Sequence, residues 1–171
     1  MNQRTKGTPP HSTAWFPRIG QLWPDQGIYA GIVRGEKGLP DHHLFVSTSA
    51  ATINTKVAWG PRDVQVAGAD SSLDGRANTI ALVGHVQAHP AAAWAASIEA
   101  DGHADWYLPS RRELRLLWVN VPELFASGWY WSSTQYSAHL AWYQYFDGGN
   151  QDYLGKAYEG RARAVRRFVI Q

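Results

Sequence analysis

Residues 129–158 read WYWSSTQYSAHLAWYQYFDGGNQDYLGKAY. Of the nine Trp, eight Tyr and five Phe residues in the chain, ten fall here, among Ser, Gln, Asn, Asp and Gly. Trp129–Ser133 has the look of a short aromatic strand. Over residues 141–146 the alternation sets Trp142, Gln144 and Phe146 on one face and Ala141, Tyr143 and Tyr145 on the other. Asp147-Gly148-Gly149-Asn150 then supplies a strong turn signal. Tyr and Trp give rigid amphipathic contact area at low entropic cost, and Ser, Gly and Asn add adaptable hydrogen bonding. A core alone rarely uses that mixture. It is the composition of a recognition surface, and it points to binding rather than to chemistry.

Outward from this stretch, Arg161–Ile170 closes the chain as a further strand. Upstream lie two clear helices. Pro90 suits a first helical position, and Ala91, Trp94, Ala95 and Ile98 follow with helical spacing, up to a stop at Asp101-Gly102. Ser110-Arg111-Arg112-Glu113 is an S-x-x-E capping box that opens the second helix, with Leu114, Leu117, Trp118 and Val121 as its buried stripe and Pro122 as its end. Asn78–Val86 is a weaker helical segment. Earlier still, Gln21–Trp23, Ile28–Arg34 and His43–Thr48 form a β-meander through the turn Pro24–Gly27. Residues 49–76 look loop-like, and residues 1–14 read as a polar arm. The order implies an α+β domain over residues 15–171, with two helices packed on a curved, mostly antiparallel sheet.

Composition narrows the function. A chain of 171 residues, 44% hydrophobic and 18% charged, is one globular domain. Its net charge of +2 argues against a dedicated nucleic-acid binder. The late cluster Lys156, Arg161, Arg163, Arg166 and Arg167 reads first as a solvated strand face, with an anionic-ligand patch as the alternative. The absence of cysteine removes disulfides, thiolate metal sites and a Cys nucleophile. No run approaches the roughly 18 apolar residues of a membrane span. The first residues lack the apolar run of a secretory signal. The expectation is a soluble product made in the cytoplasm.

Catalytic and metal readings are weak. His85 and His89 have the i, i+4 spacing of a metal pair, but without the glutamate of a zinc-protease motif and with Pro90 beside them. Asp101, His103 and Asp105 suit a corner that bonds backbone groups. Ser132, Ser133 and Thr134 with His139 lack a nucleophile elbow. Asp147, Asn150 and Asp152 offer oxygens for calcium without the carboxylate density of a dedicated loop. The expectation is a non-enzyme without metal or cofactor.

DGRANT (Asp74–Thr79), DWYLPSRREL (Asp105–Leu114), WYWSSTQYS (Trp129–Ser137), AWYQYFDGG (Ala141–Gly149) and RARAVRRF (Arg161–Phe168) occur in that order. Together they resemble the Lcl C-terminal-domain-like family, named for a collagen-like bacterial adhesin, over roughly residues 70–170. The resemblance implies a C-type-lectin-like fold. It also implies a ligand-binding domain of the sort found in bacterial surface proteins, phage tail fibres and retroelement-diversified proteins. Trp106, Leu108 and Pro109 are implied core plugs, Trp131 and Ser132 fix a strand, and Arg163 and Arg166 belong to the closing strand. The implied binding surface lies on the late strands, with Tyr136, His139, Tyr143, Tyr145, Asp147, Asn150, Asp152 and Tyr153 as contact candidates. Calcium-lectin E-P-N, Q-P-D and W-N-D motifs are missing, and the related formylglycine-generating enzymes need cysteines that this chain lacks.

The functional expectation is a phage virion receptor-binding or tail-fibre-tip protein, forming homo-oligomers such as trimers. Its partner would be a bacterial surface glycan or protein, alongside other virion proteins, with no nucleic acid and no membrane. The alternative is a structural decoration or baseplate subunit whose aromatic face binds another viral protein.

Overall fold

The computed structural model describes residues 17–171, and the expected arm at residues 1–14 lies outside them. The meander is present. β1 (Leu22–Trp23), β2 (Gly27–Val33) and β3 (His42–Val46) pair antiparallel, and the turn between β1 and β2 uses Asp25 and Gly27 at positive φ. Residues 49–76 are not all loop. A 3₁₀ turn at Ala50–Thr52 leads into β4 (Ile53–Ala58). β4 escapes the sequence reading because it is an edge strand whose middle, Asn54-Thr55-Lys56, is polar and largely exposed.

Among the described residues there are three α-helices, the two clear ones and the weaker segment. α1 (Gly75–Val83) starts three residues before the anticipated Asn78, because the Asp74 side chain accepts the Ala77 N–H at 2.9 Å. α2 (Pro90–Ala96) ends sooner than its apolar spacing suggests: Ser97 caps it, and Ile98 is buried just beyond. α3 (Arg111–Asn120) carries the expected capping box, with Leu114, Leu117 and Val121 fully buried. No helix among the described residues is long and apolar enough to cross a membrane.

After α3 come β5 (Trp129–Gln135), β6 (Leu140–Tyr145), β7 (Gln151–Gly155), β8 (Glu159–Arg163) and β9 (Val165–Val169). The single closing strand expected over 161–170 is therefore two, and they join different sheets. One sheet runs β1-β2-β3-β9 and the other β4-β8-β5-β6-β7. The pairings are antiparallel apart from β5 with β8, so the class is α+β with two mostly antiparallel sheets instead of one. Ala164 alone carries the chain from one sheet to the other. It is buried, and its N–H bonds the Thr52 carbonyl at 2.9 Å.

Two apolar clusters fill the interior. One lies under α1 and α2 and gathers Trp59, Leu82, Ala91, Trp106, Leu108 and Trp131. The other lies under α3 and joins Leu44, Leu114, Leu117, Tyr130, Phe146 and Val165. Trp106 and Leu108 are the core plugs anticipated, and the buried Ser132 hydroxyl donates to the Trp142 carbonyl at 2.7 Å.

The late basic residues are not a solvated face. Lys156, Arg163 and Arg166 are buried. Arg163 donates to the Leu124 and Ser47 carbonyls at 2.6 and 2.8 Å, and Arg166 grips both oxygens of Asp105. Buried cations of this kind are tolerated because carbonyls and carboxylates satisfy most of their donors, the Arg163 Nε excepted.

His89 sits just before α2, buried between the rings of Trp59 and His85. Neither of its ring nitrogens makes a well-formed hydrogen bond among the described residues, and a weak contact with the Trp59 backbone only partly offsets burial. Burial first, then the nearby His85 and Lys156, lowers its pKa to about 4. Unfolded, the same imidazole titrates near 6.5. Between those values the unfolded chain binds a proton that the folded chain refuses, so stability falls as pH drops from about 6.5 towards 4. The loss approaches about 3 kcal/mol. Urea unfolding at pH 7 and at pH 4.5 measures it, and His89→Gln is expected to flatten that part of the pH dependence.

Candidate functional site

β6 is the centre of the site, paired to β5 on one side and to the edge strand β7 on the other. Its alternation is as the sequence implies, but its two faces have different fates. Trp142 lies opposite Tyr153 in register. There Tyr136 and Tyr153 stack in parallel, with centroids 4.2 Å apart and rings inclined by 5°. Both stand edge-on to Trp142, at 5.3 and 5.5 Å. Tyr136 and Tyr153 remain 50% and 41% exposed, an aromatic platform held rigid by its own contacts.

The helix completes this platform. The Arg111 guanidinium lies 3.6 Å from the Trp142 ring centroid, and its Nε donates to Gln151 Oε1 at 2.9 Å. Gln151 returns a bond from Nε2 to the Arg111 carbonyl at 2.7 Å. This two-way clasp fastens the first residue of α3 to the first residue of β7. One turn further along α3, Arg115 lies 5.0 Å from the Trp118 ring centroid and donates to the Gly149 carbonyl. Gly149 has φ +76°, and a Cβ there would overlap the Trp118 ring, so only glycine fits. A cleft of about 250 Å³ opens here, lined by Ser72, Arg111, Arg112, Arg115 and Gln151.

The opposite face of the hairpin holds Tyr143, half-buried against Trp129 with centroids 5.3 Å apart and packed on the larger core. Burial and then the Asp152 charge raise its pKa. Tyr145 bonds Asp147, which raises the pKa of the phenol. Asp147 accepts bonds from Ser127 and from the Gly128 N–H, the latter at 3.0 Å, and its pKa is lowered, chiefly by the Ser127 bond. Asn150 is exposed, and its carbonyl receives the Tyr145 N–H at 2.9 Å. Asp152 Oδ1 accepts the Tyr153 N–H at 2.8 Å. His139 is exposed and pairs with Asp63.

The eight candidates therefore do not form one patch. Tyr136 and Tyr153 come together on the α3 side; Tyr143 and Tyr145 face the other way; Asp147, Asn150 and Asp152 brace turns and backbone. Trp142, Gln151, Arg111 and Arg115 were missing from the expectation. For the arginines a signal did exist: once the capping box starts the helix at Arg111, Arg111 and Arg115 share a face at i, i+4.

Other suspected sites resolve into structure. Asp101 accepts the Ser47 hydroxyl, His103 bonds the Asp25 carbonyl, and Asp105 holds Arg166. Among the described residues no three His, Asp or Glu side chains gather as a metal site.

The α+β scaffold thus presents a rigid, exposed aromatic face beside guanidinium groups. The chain belongs to the Lcl C-terminal domain family, whose model matches residues 48–166. That span begins just before β4 and ends early in β9, so the meander β1–β3 lies outside it. No curated protein matches the chain.

Proposed function

We propose that this domain is a non-enzymatic, receptor-binding module of a phage virion, at the tip of a tail fibre. It recognises a bacterial surface glycan or protein through the face made by Tyr136, Trp142 and Tyr153. The observation that carries this reading is the stacked, half-exposed tyrosine pair. Side chains fixed in advance lose little entropy when a ligand arrives, and tyrosine rings suit the apolar faces of sugars. The virion setting rests on the family resemblance set out from the sequence. Several copies per fibre, three in the simplest case, supply avidity to weak single contacts.

The alternative, a structural subunit docked through the same face, predicts a wide apolar interface. The polar clasp of Arg111 and Gln151 beside the rings favours the receptor reading.

The test is binding of the fluorescently labelled protein to a panel of Gram-negative cells, beside the double variant Tyr136→Ala/Tyr153→Ala. Strain-selective binding is expected, reduced at least tenfold in the variant with the melting temperature within a few degrees of wild type. A folded wild-type protein that binds no strain ends the receptor reading. Tyr143→Ala serves as the contrast: it should lower stability more than it lowers binding, because that ring packs on Trp129.

A further inference from the structure

We infer that the cleft beside the aromatic face takes the carboxylate of an acidic sugar residue, a hexuronate or similar unit, gripped by Arg111 and Arg115. The inference rests on the receptor reading and names the class of ligand. Neither arginine has a carboxylate partner within the described residues, whereas Arg112 at the same cleft is paired to Glu36 at 2.5 Å. Arg111 spends only Nε on Gln151, and Arg115 only one Nη on Gly149. Among the described residues no hydrogen bond engages their remaining N–H groups. Stacking on Trp142 and Trp118 nevertheless fixes both side chains in place, so the cations are held ready without being neutralised.

The choice of carboxylate over phosphate or sulfate comes from the start of α3. Tetrahedral oxyanions at a helix N-terminus are commonly bound by its free backbone N–H groups. Here all three are spent: Arg111 N–H on Thr134 Oγ1 at 2.9 Å, Arg112 N–H on the Ser72 carbonyl at 3.0 Å, and Glu113 N–H on Ser110 Oγ at 3.3 Å. What is left is the guanidinium fork, which grips a carboxylate at two points as readily as it does a phosphate, so the preference for carboxylate rests on the spent N–H groups. The cleft volume of about 250 Å³ suits a single ring. Arg111 belongs both to the cleft and to the aromatic cluster, so a neighbouring sugar would lie over Tyr136 and Tyr153.

The test is isothermal titration of the full chain with oligogalacturonate, alginate oligomers and sialyllactose. Fully methyl-esterified oligogalacturonate, dextran sulfate and inorganic phosphate serve as comparators. At least one carboxylated probe is expected to bind. Arg115→Gln should weaken it about tenfold or more, as loss of a charge-assisted bond implies. Arg111→Lys, which keeps charge but not the planar fork, should weaken it as well, with circular dichroism unchanged in both variants. If oligogalacturonate is that probe, its ester should bind at least tenfold more weakly. Three results overturn the inference: no carboxylated probe binds, the ester binds as well as the acid, or dextran sulfate or phosphate binds more tightly than every carboxylate. Cell binding separates this inference from the reading beneath it. Strain-selective binding that survives Arg115→Gln but not the tyrosine double variant removes the acidic ligand and keeps the receptor.

Discussion

Glu113→Ala is expected to destabilise the domain by about 3–5 kcal/mol, a fall in melting temperature on the order of 10 °C. Glu113 has no exposed surface, and four donors converge on its carboxylate. Oε1 accepts the Tyr107 hydroxyl at 2.6 Å and His42 Nε2 at 3.2 Å; Oε2 accepts the Ser110 N–H at 2.7 Å and the Gly75 N–H at 3.2 Å. One side chain thus ties β3, the start of α1, the segment before α3 and α3 itself. Removing it leaves those donors buried without an acceptor, and each unpaired group costs about 1–3 kcal/mol. Burial and then the Glu113 charge push the Tyr107 pKa well above that of a free phenol, which favours the hydroxyl as a donor to the carboxylate. Glu113→Gln separates charge from shape, because it sets an NH₂ group against two of the four donors. Thermal melts of both variants check the argument. A Gln variant melting within about 2 °C of wild type would show that the convergence contributes little.

The second large effect belongs to Lys156. Its ammonium is fully buried 4.7 Å from the Trp59 ring centroid, donating to the Val64 carbonyl and to Gln135 Oε1, each at 2.7 Å. Gln135 in turn holds Val66 through both its amide atoms, at 3.0 and 3.2 Å. Lys156 and Gln135 therefore pin the 64–66 loop to the end of β5. Lys156→Ala is expected to cost about 3 kcal/mol, from an orphaned carbonyl and the space left by the stem. Lys156→Met restores the stem and should recover roughly half. Burial lowers the Lys156 pKa to about 8, whereas the unfolded amine titrates near 10.4. The unfolded chain therefore holds more protons between those values, and stability rises with pH across that window. Denaturant unfolding at pH 7.5 and 9.5 reads the slope, which should vanish in Lys156→Met.

Much of this architecture could be read from local chemistry. α3 announces itself because Ser110 and Glu113 form a reciprocal cap and its leucines fall on one stripe. The meander does so because Pro24–Gly27 is a turn between apolar runs. β7 is silent: Gln151-Asp152-Tyr153 is polar and exposed or half-exposed at a sheet edge, so no alternation marks it. The break at Ala164 is silent for a different reason, since a single residue that changes sheets leaves no interruption in RARAVRRF. The burial of Lys156, Arg163 and Arg166 was equally hidden, because their partners are mostly carbonyls and neutral amides from distant segments. Alternation along β6 separated Trp142 from Tyr143 correctly. It could not say that the Trp142 side, near α3, would display the open aromatic stack while Tyr143 packed on Trp129.

The one-residue passage at Ala164 has a mechanical meaning. On the receptor reading, the domain holds a cell surface and works under tension. Load arriving through the far end of β9 travels along the backbone into β8, which lies beside β5 in the only parallel pairing of the described strands. Drawing β8 along its own axis loads that pairing lengthwise, at the Tyr130–Arg161 register. β5 then passes the load to β6, which carries Trp142, the ring that both stacked tyrosines stand against. The recognition face would be anchored through the middle of its sheet, with Tyr153 on the edge strand β7 held to that line by its pairing with Trp142.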